Sequence, residues 1–394
     1  MGIKMNRLCF MKTMILGSFM FFISCETSTS PPLVSLNYDE VVEYSLNKLS
    51  KSIIEIPNNN YPLRTNGYSK WELTSPSAWT SGFYPGCLWY ANKLKPDSNF
   101  FNNAVLFTEG LEEQQFNTEN HDIGFMIFNS YGHAYEETHA ESYKEIIIQA
   151  ANSLSTRYNS NVQCIQSWNG EFQVIIDNMM NLEILFWASK NGGGSNLYDI
   201  AVNHAYKTLE NHVREDGSSY HVVVYDPVTG NVIEKRTAQG YSDNSTWARG
   251  QAWGIYGFTM CYRETQDINF LNTADRMANY YIDHLPNDYI PYWDFNLPDN
   301  FEKDYKDASA ATIALSALLE LRNYSNYSGK YDMAIKNIFL SLIANYLSIN
   351  TNSSGIINHC AYNVNSSNPY DWDASTIWGD YYFMESLLRY ADFQ

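Results

Sequence analysis

The chain has 394 residues and a formal net charge of −18, with 25 Lys and Arg against 43 Asp and Glu. This excess of negative charge argues against nucleic acid or an anionic membrane surface as the main partner. A hydrophobic content of 45% can bury a sizeable core, which excludes a disordered chain. The aromatic content of 15% suits flat-faced ligands such as sugar rings, and it equally suits a tyrosine-rich helical core.

The N-terminus has the pattern of a bacterial lipoprotein signal peptide. Three basic residues precede the apolar segment MILGSFMFFIS, which is too short to span a bilayer comfortably. The segment FISC ends at Cys25 and resembles a lipobox, in which the cysteine is lipidated and becomes the mature N-terminus. We therefore predict a signal peptide over residues 1–25, a tether over 26–35, and a periplasmic protein that is anchored to a bacterial membrane only through this lipid.

Four cysteines remain in the mature chain, and their spacing does not match that of a metal site. They are Cys87, Cys164, Cys261 and Cys360. Export would permit disulfide bridges, but we expect buried thiols.

Helical periodicity dominates the rest of the chain. Twelve segments have the length and apolar pattern of helices: 36–52, 82–95, 100–116, 122–138, 141–156, 174–190, 196–212, 247–265, 268–285, 305–324, 329–348 and 375–391. Short connections alternate with long ones, which predicts six αα-hairpins closed into a toroid, with the long loops at one end. An open α-solenoid is the alternative, although no fixed-period repeat supports it.

The longest interior loop contains the segment YHVVVYDPVTGNVIEKR, residues 220–236. Two β-prone runs flank the turn residues Asp226-Pro227 and Gly230-Asn231, which predicts a β-hairpin. We expect this hairpin to form one wall at the long-loop end of the toroid.

One carboxylate stands inside an otherwise apolar run. Asp177, in EFQVIIDNMMNLEILFWASK, has Val174, Ile175 and Ile176 before it and two methionines soon after it. Burying an unpaired carboxylate is costly, so such a group shifts its pKa, finds a partner or does chemistry. Asp177 is therefore a candidate functional residue, with capping of the sixth helix as the structural alternative.

Further unusual residues collect where the long loops meet the even-numbered helices. They are Trp79, His121, Asp122, Gln239, Trp247, Arg249 and Trp253. In a closed toroid all of them would face one crevice. Each also has a structural interpretation: Asp122 suits an N-cap, His121 and His221 suit satisfied core histidines, the tryptophans suit the core, and Arg249 suits a salt bridge.

Several long motifs occur in one order from about residue 40 to the end: WTSGF, HDIGF, IIDNMMN, DGSSYH, AQGYSDNSTWARGQAW and STIWGDYYFMESLLRY. Together they resemble the unsaturated glucuronyl hydrolases, glycoside hydrolase family 88. The resemblance implies an all-α fold, a single (α/α)6-barrel domain over residues 36–394. It also implies removal of a uronic acid with a C4=C5 double bond from the non-reducing end of lyase-generated oligosaccharides.

The resemblance further implies the roles of individual residues. Asp177 would be the general acid/base, because its apolar flanks raise the pKa, and Asp122 would be the second catalytic carboxylate. The substrate-binding residues would be Trp79 and Trp247 as stacking surfaces, His121, His221 and Gln239 as hydrogen-bonding groups, Arg249 as the partner of the substrate carboxylate, and Trp253 and Tyr362. Protonation activates the substrate, so neither a metal nor an organic cofactor is implied.

The chain departs from the family in two loops. The last long loop, NHCAYNVNSSNPYDWDAS, has no Lys or Arg where members that act on sulfated fragments carry a lysine, although Ser366 and Ser367 can still donate hydrogen bonds. The loop NSNVQCIQSWNG is short, which leaves open the match of Trp168 to a site tryptophan.

Two other functions compete with this interpretation. One is an unsaturated rhamnogalacturonyl hydrolase, which shares the fold and the chemistry. The other is a lipid-anchored glycan-binding protein without catalysis. A binding module needs the tryptophans but has no use for Asp177 in an apolar setting.

Overall fold

The computed structural model describes residues 36–393. The predicted signal peptide over residues 1–25, with its lipidated Cys25, and the tether over 26–35 lie outside the described residues. Within residues 36–393, no helix combines the length and the apolar character that a membrane span requires.

All twelve predicted helices are present in the described part of the chain. The α-helices are α1 (Tyr38–Glu55), α2 (Phe83–Leu94), α3 (Ser98–Glu109), α4 (His133–Thr138), α5 (Glu141–Ser155), α6 (Glu183–Ala188), α7 (Ser195–Asn211), α8 (Ala248–Thr265), α9 (Ile268–Asp283), α10 (Ala308–Leu321), α11 (Ser328–Ser341) and α12 (Ile377–Ala391). A π-helix over Gly124–Gly132 runs directly into α4, and a 3-10 helix over Ile176–Asn181 precedes α6.

The even-numbered helices form a closed inner ring. Helix α10 packs against α8 and α12, α12 packs against α2, and the ring continues through the π-helix and the 3-10 helix back to α8. Every residue of α10 except Glu320 is buried, whereas α1 and α7 each bury only one apolar stripe. The contact between α12 and α2 closes the ring, so the prediction of an (α/α)6 barrel is confirmed and the open solenoid is excluded.

The strands are short and lie in the loops. They are β1 (Tyr61–Thr65), β2 (Trp71–Thr74), β3 (Tyr158–Asn159), β4 (Cys164–Ile165), β5 (Gln173–Ile175), β6 (Val222–Tyr225) and β7 (Val232–Arg236). The predicted hairpin over 220–236 is confirmed, because β6 and β7 pair in antiparallel fashion. A third strand, β5, joins them on the other edge of β6.

Strand β5 corrects the predicted sixth helix, 174–190. Val174 and Ile175 lie in this strand and pair with Val223 and Val222 of β6. The run of β-branched residues prefers a pleated ladder, which is available only because the distant β6 lies alongside. The inner helix therefore begins as a 3-10 turn at Ile176, and α-helix follows only from Glu183.

The cysteine prediction is confirmed for the described residues. Cys87, Cys164, Cys261 and Cys360 are all buried and free. Burial raises the pKa of each thiol, which keeps these side chains in the unreactive thiol form.

Candidate active site

A crevice of about 410 Å³ opens where the long loops meet the N-terminal ends of the inner helices. It is lined by Trp79, His121, Asp122, Phe125, Trp168, Ile175, Asp177, Ala238, Gln239, Arg249, Tyr362, Asn363, Ser366 and Asp371. Most of the residues singled out from the sequence therefore meet in one place. His221, Trp247 and Trp253 lie behind this lining.

Asp177 occupies the 3-10 helix that directly follows β5. Burial raises the pKa of its carboxyl to about 7; the positive charge of Arg249 opposes the shift, and the negative charge of Asp122 adds to it. Its Oδ1 atom is buried and has no hydrogen-bond partner among the described residues. No side chain caps the 3-10 helix or α6, so the capping alternative for Asp177 is wrong.

Asp122 is held against the same 3-10 helix by Asn181. The Asn181 Nδ2 donates to Asp122 Oδ1 over 3.0 Å, while Asn181 Oδ1 accepts the backbone N–H of Phe125 over 3.1 Å. Burial raises the pKa of Asp122 to about 7, against the hydrogen bond from Asn181 and the charge of Arg157. The π-helix that follows has no side-chain cap, so the N-cap alternative for Asp122 is also wrong.

His221 is a neutral histidine directed at Asp177. Its Nδ1 accepts the backbone N–H groups of Ala238 and Gln239, each over 3.2 Å, so the ring proton resides on Nε2. That Nε2 lies 3.7 Å from Asp177 Oδ1. Burial lowers the pKa of His221 to about 3, so the contact is not an ion pair at neutral pH.

His121 repeats this arrangement beside the other carboxylate. Its Nε2 lies 3.4 Å from Asp122 Oδ2, and burial together with the charge of Arg157 lowers the pKa of the ring to about 3. The Nε2 atoms of His121 and His221 and the Oδ1 of Asp177 are all buried without a partner among residues 36–393. Buried polar atoms are rarely left unpaired, so these three indicate where a polar ligand or water would bind.

Arg249 is buried and largely paired within the protein. Its Nη1 donates to Asp307 Oδ2 over 2.9 Å and to the carbonyl of Ala361, and its Nη2 donates to the carbonyl of Tyr362 over 2.7 Å. The salt bridge considered from the sequence is thus present. Two of its five donors, the Nε–H and one N–H on Nη2, have no acceptor among residues 36–393, so they can donate to a ligand in the crevice.

The two tryptophans of WARGQAW support the lining rather than form it. Trp247 is only 4% exposed; its ring lies 4.4 Å from the His221 ring, and the Arg249 guanidinium stands 4.5 Å above it. Trp253 is 1% exposed and packs against Phe125. The prediction that Trp247 stacks on sugar is therefore corrected, because its faces are covered by protein groups.

Three residues of the site were not assigned from the sequence. Asn181 positions Asp122, and Trp168, 37% exposed, extends its ring over the crevice between His121 and His221. Arg157 is close enough to lower the pKa of His121. The sequence signals for them were the place of Asn181 at the end of IIDNMMN and the open match of Trp168 to a site tryptophan. Residues 36–393 hold no cluster of three or more His, Cys, Asp or Glu side chains suited to a metal ion.

A closed ring of inner helices around an aromatic crevice with two carboxyls of raised pKa is the arrangement of an (α/α)6-barrel enzyme that acts on carbohydrates. The chain belongs to Glycosyl Hydrolase Family 88, whose family model matches residues 46–394. It is accordingly a glycoside hydrolase that removes an unsaturated uronic acid from the non-reducing end of oligosaccharides.

Two relatives and one solved structure illustrate the family likeness. An unsaturated glucuronyl hydrolase of Formosa agariphila is 41% identical over 347 residues, which cover 84% of this chain and 86% of the relative. An unsaturated glucuronyl hydrolase of a Bacillus species is 35% identical over 348 residues, which cover 84% of this chain and 91% of the relative. The crystal structure of an unsaturated glucuronyl hydrolase specific for heparin superposes with a TM-score of 0.86 at 37% identity, covering 90% of this chain and 97% of that one.

Proposed function

We propose that the enzyme works by hydration, with Asp177 as the general acid/base. Asp177 in its protonated form donates a proton to C4 of the enol ether, and water adds at C5. The resulting Asp177 carboxylate accepts the proton that the water releases. The product is a hemiketal at C5, which rearranges to an open-chain keto sugar and expels the remaining saccharide. No atom attacks the anomeric carbon directly.

The observation that carries this proposal is the state of the Asp177 carboxyl. Burial raises its pKa to about 7, so both the acid and the base form are populated near neutral pH. Its Oδ1 has no partner among the described residues, and so it is free to face a substrate. A purely structural carboxylate would instead be fully hydrogen-bonded.

The neighbouring groups suit supporting roles in the same reaction. The negative charge of Asp122 helps Asp177 to retain its proton before the reaction. The Nε2–H of His221 can donate to the attacking water or to a sugar hydroxyl, and Trp79 and Trp168 can stack on the sugar rings. The two donors of Arg249 that have no acceptor among residues 36–393 can bind the uronate carboxylate.

The substrates of related enzymes support a proposal for the parent polysaccharide. A relative in Streptococcus agalactiae is called an unsaturated chondroitin disaccharide hydrolase, and another solved enzyme is described as specific for heparin. We therefore assign lyase fragments of glycosaminoglycan-like polysaccharides as the substrate class. An unsaturated rhamnogalacturonyl hydrolase would share the acid/base chemistry, so the test includes a substrate of that enzyme.

The test follows the ultraviolet absorbance of the substrate, because hydration destroys the conjugated chromophore. The enzyme is given an unsaturated glucuronyl disaccharide and, in parallel, an unsaturated galacturonyl–rhamnose disaccharide. Decay with the first substrate is expected. Decay of only the second substrate would identify the enzyme as an unsaturated rhamnogalacturonyl hydrolase. Binding of the substrate without decay of its absorbance would favour a non-catalytic glycan-binding protein.

The cellular location is a separate proposal, which rests on the N-terminal sequence. The basic residues, the apolar segment and FISC support a signal peptide and a lipid anchor at Cys25, facing the periplasm. Expression with labelled palmitate in a bacterial host tests this. Label on the wild-type protein in the membrane fraction, lost in Cys25→Ser, is expected; an unlabelled wild-type protein would refute the anchor.

A further inference from the structure

A second cavity, of about 360 Å³, lies inside the ring of inner helices, toward their C-terminal ends. Tyr256 lines it and follows Arg249 of the crevice by seven residues in α8, which is about 10 Å along the helix axis. We call this space the basal cavity; its lining includes Phe128, Asn129, Tyr135, Glu183, Trp187 and Tyr382. We infer that the basal cavity is a second binding site and that it takes an uncharged sugar. This inference goes beyond the proposed function and does not depend on it.

A layer of four aromatic rings separates the basal cavity from the crevice. Neighbouring ring centroids lie 5.1–6.1 Å apart around the layer, and each residue is at most 2% exposed: Phe83, Phe125, Trp253 and Tyr382. Phe125 lines the crevice and Tyr382 lines the basal cavity, and within residues 36–393 the two spaces share no lining residue. The basal cavity opens on its own side, where its lining residues Glu136 and His139 are exposed. It is therefore a separate space and not an extension of the crevice.

The charges of the basal lining are compensated within the protein. Its three carboxylates each pair with a cation, in the pairs Glu136 with Lys93, Glu183 with Arg263, and Glu385 with Arg389. Arg389 also lies 3.3 Å from a second carboxylate, that of Glu320. Burial lowers the pKa of His133, which keeps this lining residue neutral near pH 7. The described part of the chain thus offers no unpaired carboxylate or guanidinium here, so the ligand that fits is uncharged.

Two polar groups of the basal lining lack partners. The Nδ2 of Asn129 is buried and has no acceptor among residues 36–393. Glu183 accepts a hydrogen bond from Arg263 at Oε1, and its Oε2 has no donor within the same residues. Asn129 belongs to the π-helix Gly124–Gly132, and π-helical turns are frequent at functional sites. A buried amide without a partner indicates a place for a polar ligand. A sugar hydroxyl suits both groups, because it accepts as well as donates.

Aromatic side chains supply the apolar part of the proposed sugar site. Trp187 is half-buried; its ring lies 5.2 Å from that of Tyr135 and 6.1 Å from that of Phe128, and the accessible part of the ring belongs to the cavity lining. Such flat apolar surfaces suit the face of a sugar ring. A volume of about 360 Å³ is within the range of small-molecule sites and accommodates a mono- or disaccharide. Removal of the uronic acid also removes a negative charge from the oligosaccharide, so a released saccharide without sulfate is uncharged.

Calorimetric titration with N-acetylglucosamine, an uncharged sugar, tests the inference on the wild type and on three variants. Asn129→Leu removes the unpaired amide with little change in volume, and Trp187→Ala removes the stacking surface. Trp168→Ala is the matched control, because Trp168 is a partly exposed tryptophan of the crevice and does not line the basal cavity. Glucuronate serves as the charged probe in the same titrations. None of these measurements requires turnover of a substrate.

The wild type should bind N-acetylglucosamine with a Kd on the order of 1 mM, as expected for so small a ligand. Asn129→Leu should weaken this binding by about fivefold or more and Trp187→Ala by about tenfold or more, whereas Trp168→Ala should leave it within about twofold. Any affinity for glucuronate should be the same in Asn129→Leu and Trp187→Ala as in the wild type, within about twofold, because an anion has no partner in the basal cavity.

A melting curve for each variant separates lost binding from lost folding. Asn129→Leu should melt like the wild type, so its weaker binding reports on the basal cavity even if Trp187→Ala unfolds. The absence of binding to the wild type up to about 50 mM N-acetylglucosamine would overturn the inference. Affinity that is lost in Trp168→Ala but kept in Asn129→Leu would also overturn it, because the sugar would then occupy the crevice. A failure to turn over unsaturated disaccharides would contradict only the proposed function.

Discussion

The two carboxyls of the crevice share a raised pKa but are held differently. Asp122 is fixed by a hydrogen bond from Asn181, while Asp177 keeps a buried oxygen without a partner among the described residues. Asp177 was found from the sequence because its desolvation comes from adjacent apolar residues. The environment of Asp122 could not be predicted from the sequence, because it depends on Asn181 and Arg157, which only the folded chain brings near.

The pH dependence of stability should report these carboxyls. Burial raises the pKa of Asp177 from 3.8 to about 7, so as pH rises from about 4 to 7 the unfolded chain ionises first and the folded state loses stability. Asp177→Asn removes this penalty and should be about 2–4 kcal/mol more stable than the wild type near pH 7. Denaturant unfolding measures it.

The control for that prediction is the same difference in unfolding free energy measured at low pH. Below about pH 3 the carboxyl is protonated in both the folded and the unfolded chain, so the stability advantage of Asp177→Asn should shrink towards zero. An advantage that is the same at both pH values would mean that the carboxyl of Asp177 is not desolvated.

Arg249→Lys tests the guanidinium, because lysine keeps the charge but not the planar array of donors. We expect kcat/KM to fall by about tenfold to a thousandfold, equivalent to about 1.5–4 kcal/mol of charge-assisted hydrogen bonds. The unfolding free energy should also fall, since Arg249 joins Asp307 to the carbonyls of Ala361 and Tyr362. Steady-state kinetics and a melting curve measure the two effects. An unchanged kcat/KM would mean that Arg249 does not bind the substrate.

At the scale of elements, helix positions follow from local patterns and the strands do not. The twelve helices could be predicted because each repeats an apolar stripe within its own sequence. Strand β5 could not, because Val174 and Ile175 become a strand only by pairing with β6. The same limit applies to the site: motifs located the ends of the inner helices, but which side chains line the crevice and which lie behind it depends on packing between helices.

The contact between the π-helix and the 3-10 helix depends on Gly124. A Cβ at this residue would lie 2.6 Å from Asn181 Oδ1 and 2.7 Å from Asn181 Cα, so Gly124→Ala must separate the two elements and disturb the Asn181 to Asp122 hydrogen bond. We expect a loss of about 1–3 kcal/mol in unfolding free energy and a fall in kcat. Calorimetry and steady-state kinetics on the variant measure these effects.

Gly329→Ala is the matched control for that substitution. Gly329 lies in α11, and a Cβ there would meet no atom within 4 Å. The change should stabilise the protein by about 0.5–1 kcal/mol through helix propensity and leave kcat unchanged. If both alanine variants behaved alike, close packing at Gly124 would not be what positions Asp122.

At the scale of the whole molecule, both the enzyme and its uronate substrate carry a negative charge. The net charge of −18 repels a uronate at long range, and only the local donors of the crevice favour its binding. Raising the salt concentration to about 0.1 M should therefore increase kcat/KM slightly, by screening this repulsion. A steep decrease with salt would instead reveal a basic surface that captures the substrate.

Turnover by Asp177→Asn tests the catalytic role of Asp177 most directly. The amide is nearly isosteric, but it cannot deliver a proton to C4 or accept one from water, so decay of the unsaturated chromophore should slow by about 10²–10⁴-fold. A melting curve should show that the variant is folded and at least as stable as the wild type near neutral pH. A folded Asp177→Asn enzyme with near-wild-type decay would contradict the assignment, and Asp122 would then have to supply the proton.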